Sequence, residues 1–412
     1  MTSAPANVVK PADEAALAAL VVEAASAGRP LELIGRGSKR ALGRPIESAT
    51  LVDLTGFSGI IDYAPEELVL TAGPATPLDV IEAALAAKRQ MLAFEPPRLG
   101  ALLGDGAGGS IGGALSCNLS GSRRIKAGAA RDHFLGFRGV NGRGEVFKAG
   151  GKVVKNVTGY DLGKLIAGSY GTLAALSEIT VKVLPAPEKA RTVLVFGLEP
   201  MRAIAALGAG VGSPHEVSGA AYVPKQSAAR STVEYVSSAG ASVAALRVEG
   251  VGPSVEARCT ALRELLGRFG PVEELHSLRS KHLWKEIGEV APLLGPLQQR
   301  VVWRVSVPPA MGGQVSLALS ERIAGAETLL DWAGGLIWAA LPERADAHEA
   351  AVRAIAVEAG GYATLIRAPA AIRASVPVFQ PMSQAEAALS RRLKESFDPA
   401  GVFNRGRMVE GR

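Results

Sequence analysis

The chain is poor in several residue types, and each shortage excludes a class of protein. Its 412 residues include only 2 cysteines, Cys117 and Cys259, which fit neither a disulfide framework nor a metal-binding spacing. Aromatic residues make up 5% of the chain, and no run of about 18 consecutive apolar residues occurs, so no membrane-spanning helix is predicted. The net charge of +6 is spread without basic runs, which makes nucleic acid a poor candidate partner. The N-terminus lacks the pattern of a signal peptide, so we expect a cytoplasmic protein.

Histidine is also scarce and scattered. Of the 5 histidines, only His276 and His282 share a short segment, and their spacing of six residues suits neither face of a helix. No metal site is therefore predicted, and two cysteines cannot hold an iron–sulfur cluster. His133 stands at the start of a predicted strand, directly after Arg131 and Asp132, which favours a structural role.

Glycine, in contrast, is abundant, with 48 residues, and it clusters in three places: at 35–43, directly after a predicted strand, at 104–121 and at 168–172. Such clusters most often allow backbone N–H groups to approach a phosphate. They match neither common nucleotide motif. Arg40 stands where a Rossmann fingerprint needs its third glycine, and the segment 159–164 lacks the spacing and the Ser or Thr of a Walker loop.

The hydrophobic pattern predicts an α+β protein of three parts. Residues 1–186 form a first domain that ends at a Pro-rich linker, and residues 187–380 form a second α+β domain whose run 300–369 has a ferredoxin-like strand and helix order. Residues 381–412 are predicted to be a helix and a polar tail that return to the first domain. The predicted elements of the first domain are a helix at 12–27, strands at 31–35, 50–54, 59–63 and 68–73, a helix at 77–88, a hairpin at 133–150 with a type I′ turn on Asn141-Gly142, and a strand within 172–185.

The order of the glycine clusters and strands over about residues 15–186 resembles the FAD-binding domain of the vanillyl-alcohol oxidase and p-cresol methylhydroxylase superfamily. The stretch 112–185 is more closely similar to the FAD-binding E subunit of bacterial glycolate oxidase. The features that carry this resemblance are SGSRR followed by RDHFLG, then KNVTGYDL, then GSYGTLAALSEITVKVLP. LAFEPP at 92–97 and FDPAGVFNRGRM at 397–408 also resemble the family, although Arg405 stands where proline is usual.

The resemblance implies an FAD-binding domain of p-cresol methylhydroxylase type, made of two α+β subdomains, with a ferredoxin-like α+β cap domain. It implies oxidation of glycolate, with D-lactate as a second candidate, to the 2-oxo acid. The expected partners are a second flavin subunit and an iron–sulfur subunit, through which the chain would associate peripherally with the inner membrane. No histidine lies in 36–44, where many superfamily members attach the flavin, so the FAD is expected to be non-covalent.

Backbone N–H groups of residues 35–38 are suited to cradle the pyrophosphate, with Lys39 or Arg40 adding charge, and two adjacent glycines allow a second segment to approach it. With the resemblance, the predicted cofactor-binding residues are Gly35, Arg36, Gly37, Ser38, Lys39, Gly43, Pro96, Gly112, Gly113, Asn118, Gly121, Arg131, Asp132, Gly171, Ile179 and Asn404. For Ile179 the side chain is expected in the core and only the backbone at the cofactor.

Several assignments stay open. Lys155, Asn156, Tyr160 and Asp161 either face the flavin or a substrate carboxylate, or serve as a helix cap and solvated charges. No catalytic residue is assigned. Candidates for binding a substrate carboxylate are three arginines that could equally be surface residues: Arg304, Arg367 and Arg405. Two rival functions also remain: a self-sufficient flavin dehydrogenase, and a non-catalytic subunit that kept the fold and lost the cofactor.

Overall fold

A computed structural model describes residues 7–46, 50–104, 106, 108–152, 159–294 and 300–411. The chain divides into two compact units. Unit 1 comprises Met1–Leu119, Ala129–Ala186 and Pro381–Arg412, and unit 2 comprises Ser120–Gly128 and Pro187–Gln380. Residues 1–186 were predicted to form one domain, whereas the segment Ser120–Gly128 groups with unit 2.

Helices and strands alternate along both units, which confirms the predicted α+β class. The strands are β1 (Asn7–Val9), β2 (Leu31–Ile34), β3 (Thr50–Asp53), β4 (Ile60–Ala64), β5 (Val69–Ala72), β6 (Gln90–Met91), β7 (Phe134–Asn141), β8 (Val146–Gly150), β9 (Ala174–Lys182), β10 (Leu184–Pro185), β11 (Lys189–Phe196), β12 (Val217–Val223), β13 (Val243–Gly250), β14 (Val272–His276), β15 (Arg300–Ser306), β16 (Glu327–Asp331), β17 (Leu336–Pro342) and β18 (Tyr362–Arg367). The α-helices are α1 (Glu14–Ser26), α2 (Leu78–Ala87), α3 (Gly100–Leu103), α4 (Ile111–Ser116), α5 (Arg124–Ala127), α6 (Leu162–Ile166), α7 (Pro200–Val211), α8 (Lys225–Ala228), α9 (Glu234–Ser237), α10 (Gly252–Gly267), α11 (Ser277–Gly288), α12 (Gly312–Arg322), α13 (Glu349–Glu358), α14 (Ala370–Ser375) and α15 (Gln384–Phe397). Among the described residues, no helix is long and apolar enough to cross a membrane.

Unit 1 contains a parallel sheet of order β1-β3-β2, an antiparallel sheet of order β4-β5-β9-β7-β8, and the short pair β6-β10.

The first helix, α1, forms for reasons that can be read from its sequence. The Asp13 carboxylate accepts a hydrogen bond from the Ala16 N–H at 2.8 Å and so caps α1. Leu17, Val21 and Ala24 follow at helical spacing and are fully buried in a core with β2 and β3. The predicted helix at 12–27 is confirmed.

The turn between β7 and β8 differs from the expected type I′ turn. A type I′ turn needs left-handed backbone at both central residues, but neither Asn141 nor Gly142 has a positive φ. The loop is longer: Asn141 pairs with Glu145, and Gly144 takes the left-handed conformation at φ 78°. Gly142 has a packing role instead, since an added Cβ would lie 2.5 Å from Cα of Asp398. This local prediction is wrong because a tertiary contact determines the glycine.

Unit 2 is built on an eight-stranded antiparallel sheet of order β14-β11-β13-β12-β16-β17-β15-β18. Its two halves, β11 to β14 and β15 to β18, each follow the ferredoxin-like order β-α-β-β-α-β. They meet where β12 pairs with β16, at Tyr222 and Leu330. The sequence indicated this motif only for the second half. One face of the sheet is covered by a large apolar core with α7, α10, α12 and α13.

The opposite face of that sheet carries a buried ionic cluster around Glu249. Arg123 donates two hydrogen bonds to the Glu249 carboxylate, at 3.0 and 2.7 Å, and the Ser218 hydroxyl donates a third at 2.6 Å. The Arg247 Nε lies 3.4 Å from the same carboxylate. Burial alone would raise the pKa of Glu249, but the charges of Arg247 and Arg123 outweigh it and lower that pKa to about 2.

The Glu249 cluster predicts an acid-sensitive stability. The carboxyl pKa is about 2 in the folded protein against 4.5 as its ordinary value, so the stabilisation is complete above pH 4.5 and is lost as the pH falls toward 2. We expect Glu249→Gln to lower the free energy of unfolding at pH 7 by up to about 3 kcal/mol and to flatten the decline of the thermal midpoint between pH 5 and 3. Glu358 forms an exposed ion pair with Arg322, so Glu358→Gln should change neither the free energy of unfolding nor the pH dependence of the thermal midpoint. An unaltered pH profile in Glu249→Gln would show that the cluster does not stabilise the fold.

Candidate functional site

A cleft of about 780 Å³, including its open mouth, lies within unit 1. It is formed by the loop that follows β2, helix α4, the loop at 170–171 and the C-terminal tail. The structure brings nine of the predicted site residues together in its wall: Gly35, Arg36, Gly37, Ser38, Lys39, Gly112, Gly113, Gly171 and Asn404. They come from four segments that are far apart in the sequence, and the cleft is within the size range of ligand pockets.

The loop after β2 presents backbone donors to this cleft. Gly37 adopts a left-handed conformation at φ 78°, and its carbonyl accepts a hydrogen bond from the Arg40 N–H at 3.1 Å. The N–H groups of Gly37 and Ser38 have no hydrogen-bond partner among the described residues. Successive unpaired amides in a turn of this kind form a concave site for an anion. The loop therefore fits a phosphate or pyrophosphate group.

The loop after β2 is held by hydrogen bonds that converge on the buried carboxylate of Glu32. Arg40 donates to it through Nε and Nη2 at 2.9 and 2.7 Å, and Arg407 donates through Nη2 at 3.2 Å. Arg407 Nη1 also donates to the carbonyl oxygens of Arg40 and Leu42, at 2.7 and 3.0 Å. The hydrogen bonds to Glu32 raise the pKa of Arg40, whereas burial lowers the pKa of Arg407. Arg40 and Arg407 thus share the one negative charge of Glu32. Lys39, the other cation suggested by the sequence, also lines the cleft, and its ammonium donates to the carbonyl oxygen of Arg98.

Asn404 links the C-terminal tail by hydrogen bonds to two other parts of the cleft wall, strand β2 and the loop at 170–171. Its Oδ1 accepts a hydrogen bond from the Leu33 N–H at 2.8 Å, and its Nδ2 donates to the carbonyl oxygen of Tyr170 at 2.8 Å. Its own N–H donates to the carbonyl of Leu31 at 2.9 Å. Gly171 must remain glycine beside it, because φ is +70° and an added Cβ would lie 2.7 Å from Asn404 Nδ2. The amide side chain therefore sets the geometry of the cleft.

The two adjacent glycines of α4 have different roles. A Cβ on Gly112 would lie 2.7 Å from the carbonyl oxygen of Pro74, so this glycine allows helix α4 to pack against the protein. A Cβ on Gly113 would meet only the Ser110 Oγ at 3.5 Å and the Lys39 Cγ at 3.6 Å, which are ordinary contacts. Gly113 consequently leaves open a part of the cleft that the protein itself does not fill.

The cleft wall also contains residues that were not predicted from the sequence, among them Cys117, Tyr170 and Arg407. Arg407 lies inside the quoted tail motif FDPAGVFNRGRM, which was the signal that could have identified it. Burial raises the pKa of the Cys117 thiol to about 12, despite the opposing charges of Lys39 and Arg407. The thiol is neutral at physiological pH and is not a nucleophile.

Seven predicted residues lie outside the cleft wall, and most of them support local structure. Gly43 has φ +79°, and an added Cβ would lie 2.7 Å from Cδ of Arg407. The Asn118 Oδ1 accepts a hydrogen bond from the Arg131 N–H at 3.1 Å, and the Asp132 Oδ2 accepts one from the Ala129 N–H at 2.9 Å. A cofactor role for Gly43, Asn118, Arg131 and Asp132 stays a prediction.

The other three are Pro96, Gly121 and Ile179. Pro96 is buried beside Glu95, which has φ 46°. Gly121 belongs to unit 2, where its carbonyl accepts a hydrogen bond from the Trp332 indole at 3.0 Å. Ile179 is fully buried in β9 and is paired with β5 and β7 on either side. The expected core position of its side chain is confirmed, whereas the proposed backbone role remains untested.

Of the segment KNVTGYDL, the structure describes residues 159–162. Lys155 and Asn156 lie outside the described residues, and the Tyr160 side chain is 90% exposed. Asp161 caps α6 by accepting a hydrogen bond from the Lys164 N–H at 3.2 Å, and its carboxylate also pairs with the Lys164 ammonium at 2.6 Å. The helix-cap interpretation is therefore confirmed for Asp161. Among the described residues, no group of three or more His, Cys, Asp and Glu side chains is placed to hold a metal ion.

The chain is similar in sequence to known FAD-binding proteins. The family model described as "FAD binding domain" matches residues 5–150. Glycolate oxidase subunit GlcE of Escherichia coli is 36% identical over 393 residues, which cover 95% of this chain and 96% of that protein. Glycolate oxidase subunit GlcD of Bacillus subtilis is 33% identical over 153 residues, covering 37% of this chain and 31% of that protein.

The fold is similar to that of solved structures with low sequence identity. The crystal structure of p-cresol methylhydroxylase matches with a TM-score of 0.68 at 14% identity, covering 98% of this chain and 88% of that one. The expected architecture, an FAD-binding fold of p-cresol methylhydroxylase type with a second α+β unit, is confirmed.

Proposed function

The chain belongs to the family of the glycolate oxidase subunit GlcE, and we propose from this that it is the FAD-binding subunit of a glycolate oxidase complex. The reaction is the oxidation of glycolate to the 2-oxo acid, with D-lactate as a second substrate and with electrons passed to partner subunits. The observation that carries the proposal is the pair of unpartnered N–H groups of Gly37 and Ser38 in a cleft lined by nine residues that the sequence had singled out.

The residues of the cleft fit an FAD, which supplies a hydride acceptor for a CH–OH group when it is bound. The amides of Gly37 and Ser38 would hold the negatively charged pyrophosphate, and Lys39 would add a positive charge beside it. Gly113 has no side chain, so the cofactor can approach helix α4 closely at this position. Asn404 holds the segments of the cleft wall in place through its hydrogen bonds. No histidine lies in the loop from Arg36 to Arg44, which supports non-covalent attachment.

We place the chain in a hetero-oligomer with a second flavin subunit and an iron–sulfur subunit, on the cytoplasmic side of the membrane. This part of the proposal follows from the family, since the relative from Escherichia coli is a subunit by name. The two free cysteines of this chain, both buried, are too few for an iron–sulfur cluster, so such a cluster would belong to a partner.

The test is a visible absorption spectrum of the purified chain, recorded anaerobically before and after glycolate is added. We expect a flavin spectrum that is released by denaturation, as non-covalent binding requires. Bleaching by glycolate would show that the chain contains a complete active site and works without partners. Stable flavin that bleaches only when the partner subunits are added would support the complex, and a protein purified without flavin and unable to rebind FAD would contradict the proposal.

A further inference from the structure

Helix α15 lies outside the wall of the proposed FAD site (the cofactor cleft), yet one of its side chains holds two segments of that wall. No residue of α15 lines the cofactor cleft. The Lys394 ammonium, however, donates hydrogen bonds to the carbonyl oxygens of Thr172 and Phe403, at 2.6 and 3.2 Å. Thr172 directly follows Gly171, and Phe403 directly precedes Asn404. Because Gly171 and Asn404 both line the cleft, Lys394 joins the loop and the tail immediately behind it.

The Lys394 ammonium is itself fixed by a carboxylate. Its third hydrogen bond goes to the Asp398 Oδ2 at 2.6 Å, and the Lys394 side chain is only 15% exposed. The fully buried Asp398 carboxylate also accepts hydrogen bonds from the N–H groups of Val402 and Phe403, at 3.0 and 2.9 Å. An ammonium has three donors, and all three are used here. The position of Lys394 is therefore set by the tail as well as by its own helix.

Helix α15 has few other attachments to unit 1. None of its residues is buried, although Phe397 at its C-terminal end packs partly buried against the core of the unit. A cleft of about 920 Å³, including its open mouth, is lined by residues of both α15 and the segment 165–173. Helices gain most of their stability from a packed face, so a helix beside an open cleft unfolds locally at a low cost in free energy. The hydrogen bonds of Lys394 are consequently a major part of what attaches α15.

We propose that Lys394 is a positioning residue of the cofactor site and that it couples α15 to the occupancy of the cofactor cleft. Its bonds to Thr172 and Phe403 hold the loop and the tail at the spacing that the bound cofactor needs. Because the same bonds attach α15, a cofactor that fixes the loop and the tail also stabilises α15, and by reciprocity an attached α15 strengthens cofactor binding. The proposal rests on the proposed function, since the occupant is FAD.

The first measurement is the FAD affinity of the full chain, by fluorescence titration of the flavin-free protein. Lys394→Met should weaken FAD binding by about tenfold or more, because the loop and the tail lose their common donor. Lys394→Arg keeps the charge and several donors and should recover part of the affinity. Arg392→Met is the matched control. Arg392 is an exposed cation of the same helix whose side chain makes no hydrogen bond or ion pair with any described residue, so its loss should leave FAD affinity unchanged.

The second measurement separates a positioning role from a merely structural one. Hydrogen exchange of the α15 amides is followed by mass spectrometry with and without saturating FAD. In the unaltered chain and in Arg392→Met, FAD should slow this exchange, although α15 does not line the cofactor cleft. In Lys394→Met saturated with FAD, the α15 amides should exchange as fast as without FAD. A lysine with only a structural role would lower stability without removing the response of α15 to FAD.

The outcomes distinguish this proposal from the function proposed above. An unaltered chain that cannot bind FAD would overturn both. If the unaltered chain binds FAD but its α15 does not respond, or if Lys394→Met binds FAD equally well, only the role of Lys394 is refuted. Equal loss of affinity in Lys394→Met and Arg392→Met would also refute it, because the effect would then depend on the charge of the helix. The response of α15 in the unaltered chain keeps the test decisive even if Lys394→Met does not fold.

Discussion

Gly113→Ala is expected to deprive the protein of its flavin while leaving the fold intact. The added methyl would meet only Ser110 and Lys39, at distances of 3.5 and 3.6 Å that the folded chain tolerates. Because Gly113 lies within helix α4, alanine should raise the stability of the flavin-free protein slightly, by up to about 1 kcal/mol. The same methyl projects into the cleft, where crowding of this kind costs about 1–3 kcal/mol. FAD affinity should therefore fall by about tenfold or more, measured by fluorescence titration of the flavin-free chain.

The neighbouring glycine provides a matched control with the opposite result. In Gly112→Ala the new Cβ would lie 2.7 Å from the carbonyl oxygen of Pro74, so the protein itself must shift and the thermal midpoint should drop. Flavin loss in Gly112→Ala would accompany unfolding, whereas in Gly113→Ala it should occur in a stable protein. Normal flavin affinity in Gly113→Ala would mean that the cofactor does not approach α4 at this glycine.

Arg407→Met is expected to produce the largest loss of stability in unit 1. Arg407 is buried and donates to the Glu32 carboxylate and to the carbonyl oxygens of Arg40 and Leu42. Methionine would leave these carbonyl oxygens without a donor and leave Glu32 dependent on Arg40 alone. Removing one partner from a buried ionic network costs about 3–5 kcal/mol. The thermal midpoint should fall by about 6 °C or more, and FAD binding should weaken because the loop after β2 loses its support.

Arg405→Met is the control for this prediction. Arg405 is exposed in the same tail, two residues earlier, and its Nε donates a hydrogen bond of 3.3 Å to the carbonyl oxygen of Gly411. Its loss should change neither the thermal midpoint nor FAD affinity measurably. If Arg407→Met were as stable as Arg405→Met, the support of the loop would have to come from the pairing of Glu32 with Arg40 alone.

Much of the fold could be predicted from sequence because it depends on neighbouring residues. Asp13 caps α1 and Leu17 and Val21 repeat at helical spacing, so the first helix follows from about a dozen consecutive residues. Three glycine clusters likewise indicated backbone that approaches a ligand, and nine of the residues singled out do line one cleft. The physical cause of each of these features lies in residues that are close together in the sequence.

Contacts between distant segments could not be predicted in this way. The pairing of Glu32 with Arg407 joins residues 375 positions apart, and nothing near either residue specifies the other. Gly142 illustrates the same limit, because Asp398 rather than a turn requires it to be glycine. Placement of Ser120–Gly128 with unit 2, which brings Arg124 to Trp332, also follows from packing across the chain.

The sequence by itself determined the α+β class, the ferredoxin-like order of 300–369 and the glycine-rich segments of the cleft, because each depends on spacing and conformational freedom within a short stretch. Only the tertiary structure decided which charges are already compensated. Arg40 pairs with Glu32, and Arg304 stacks on Trp332 with no ion pair to any described residue. The reason is that electrostatic pairing depends on distance in space and on burial, and the linear sequence records neither.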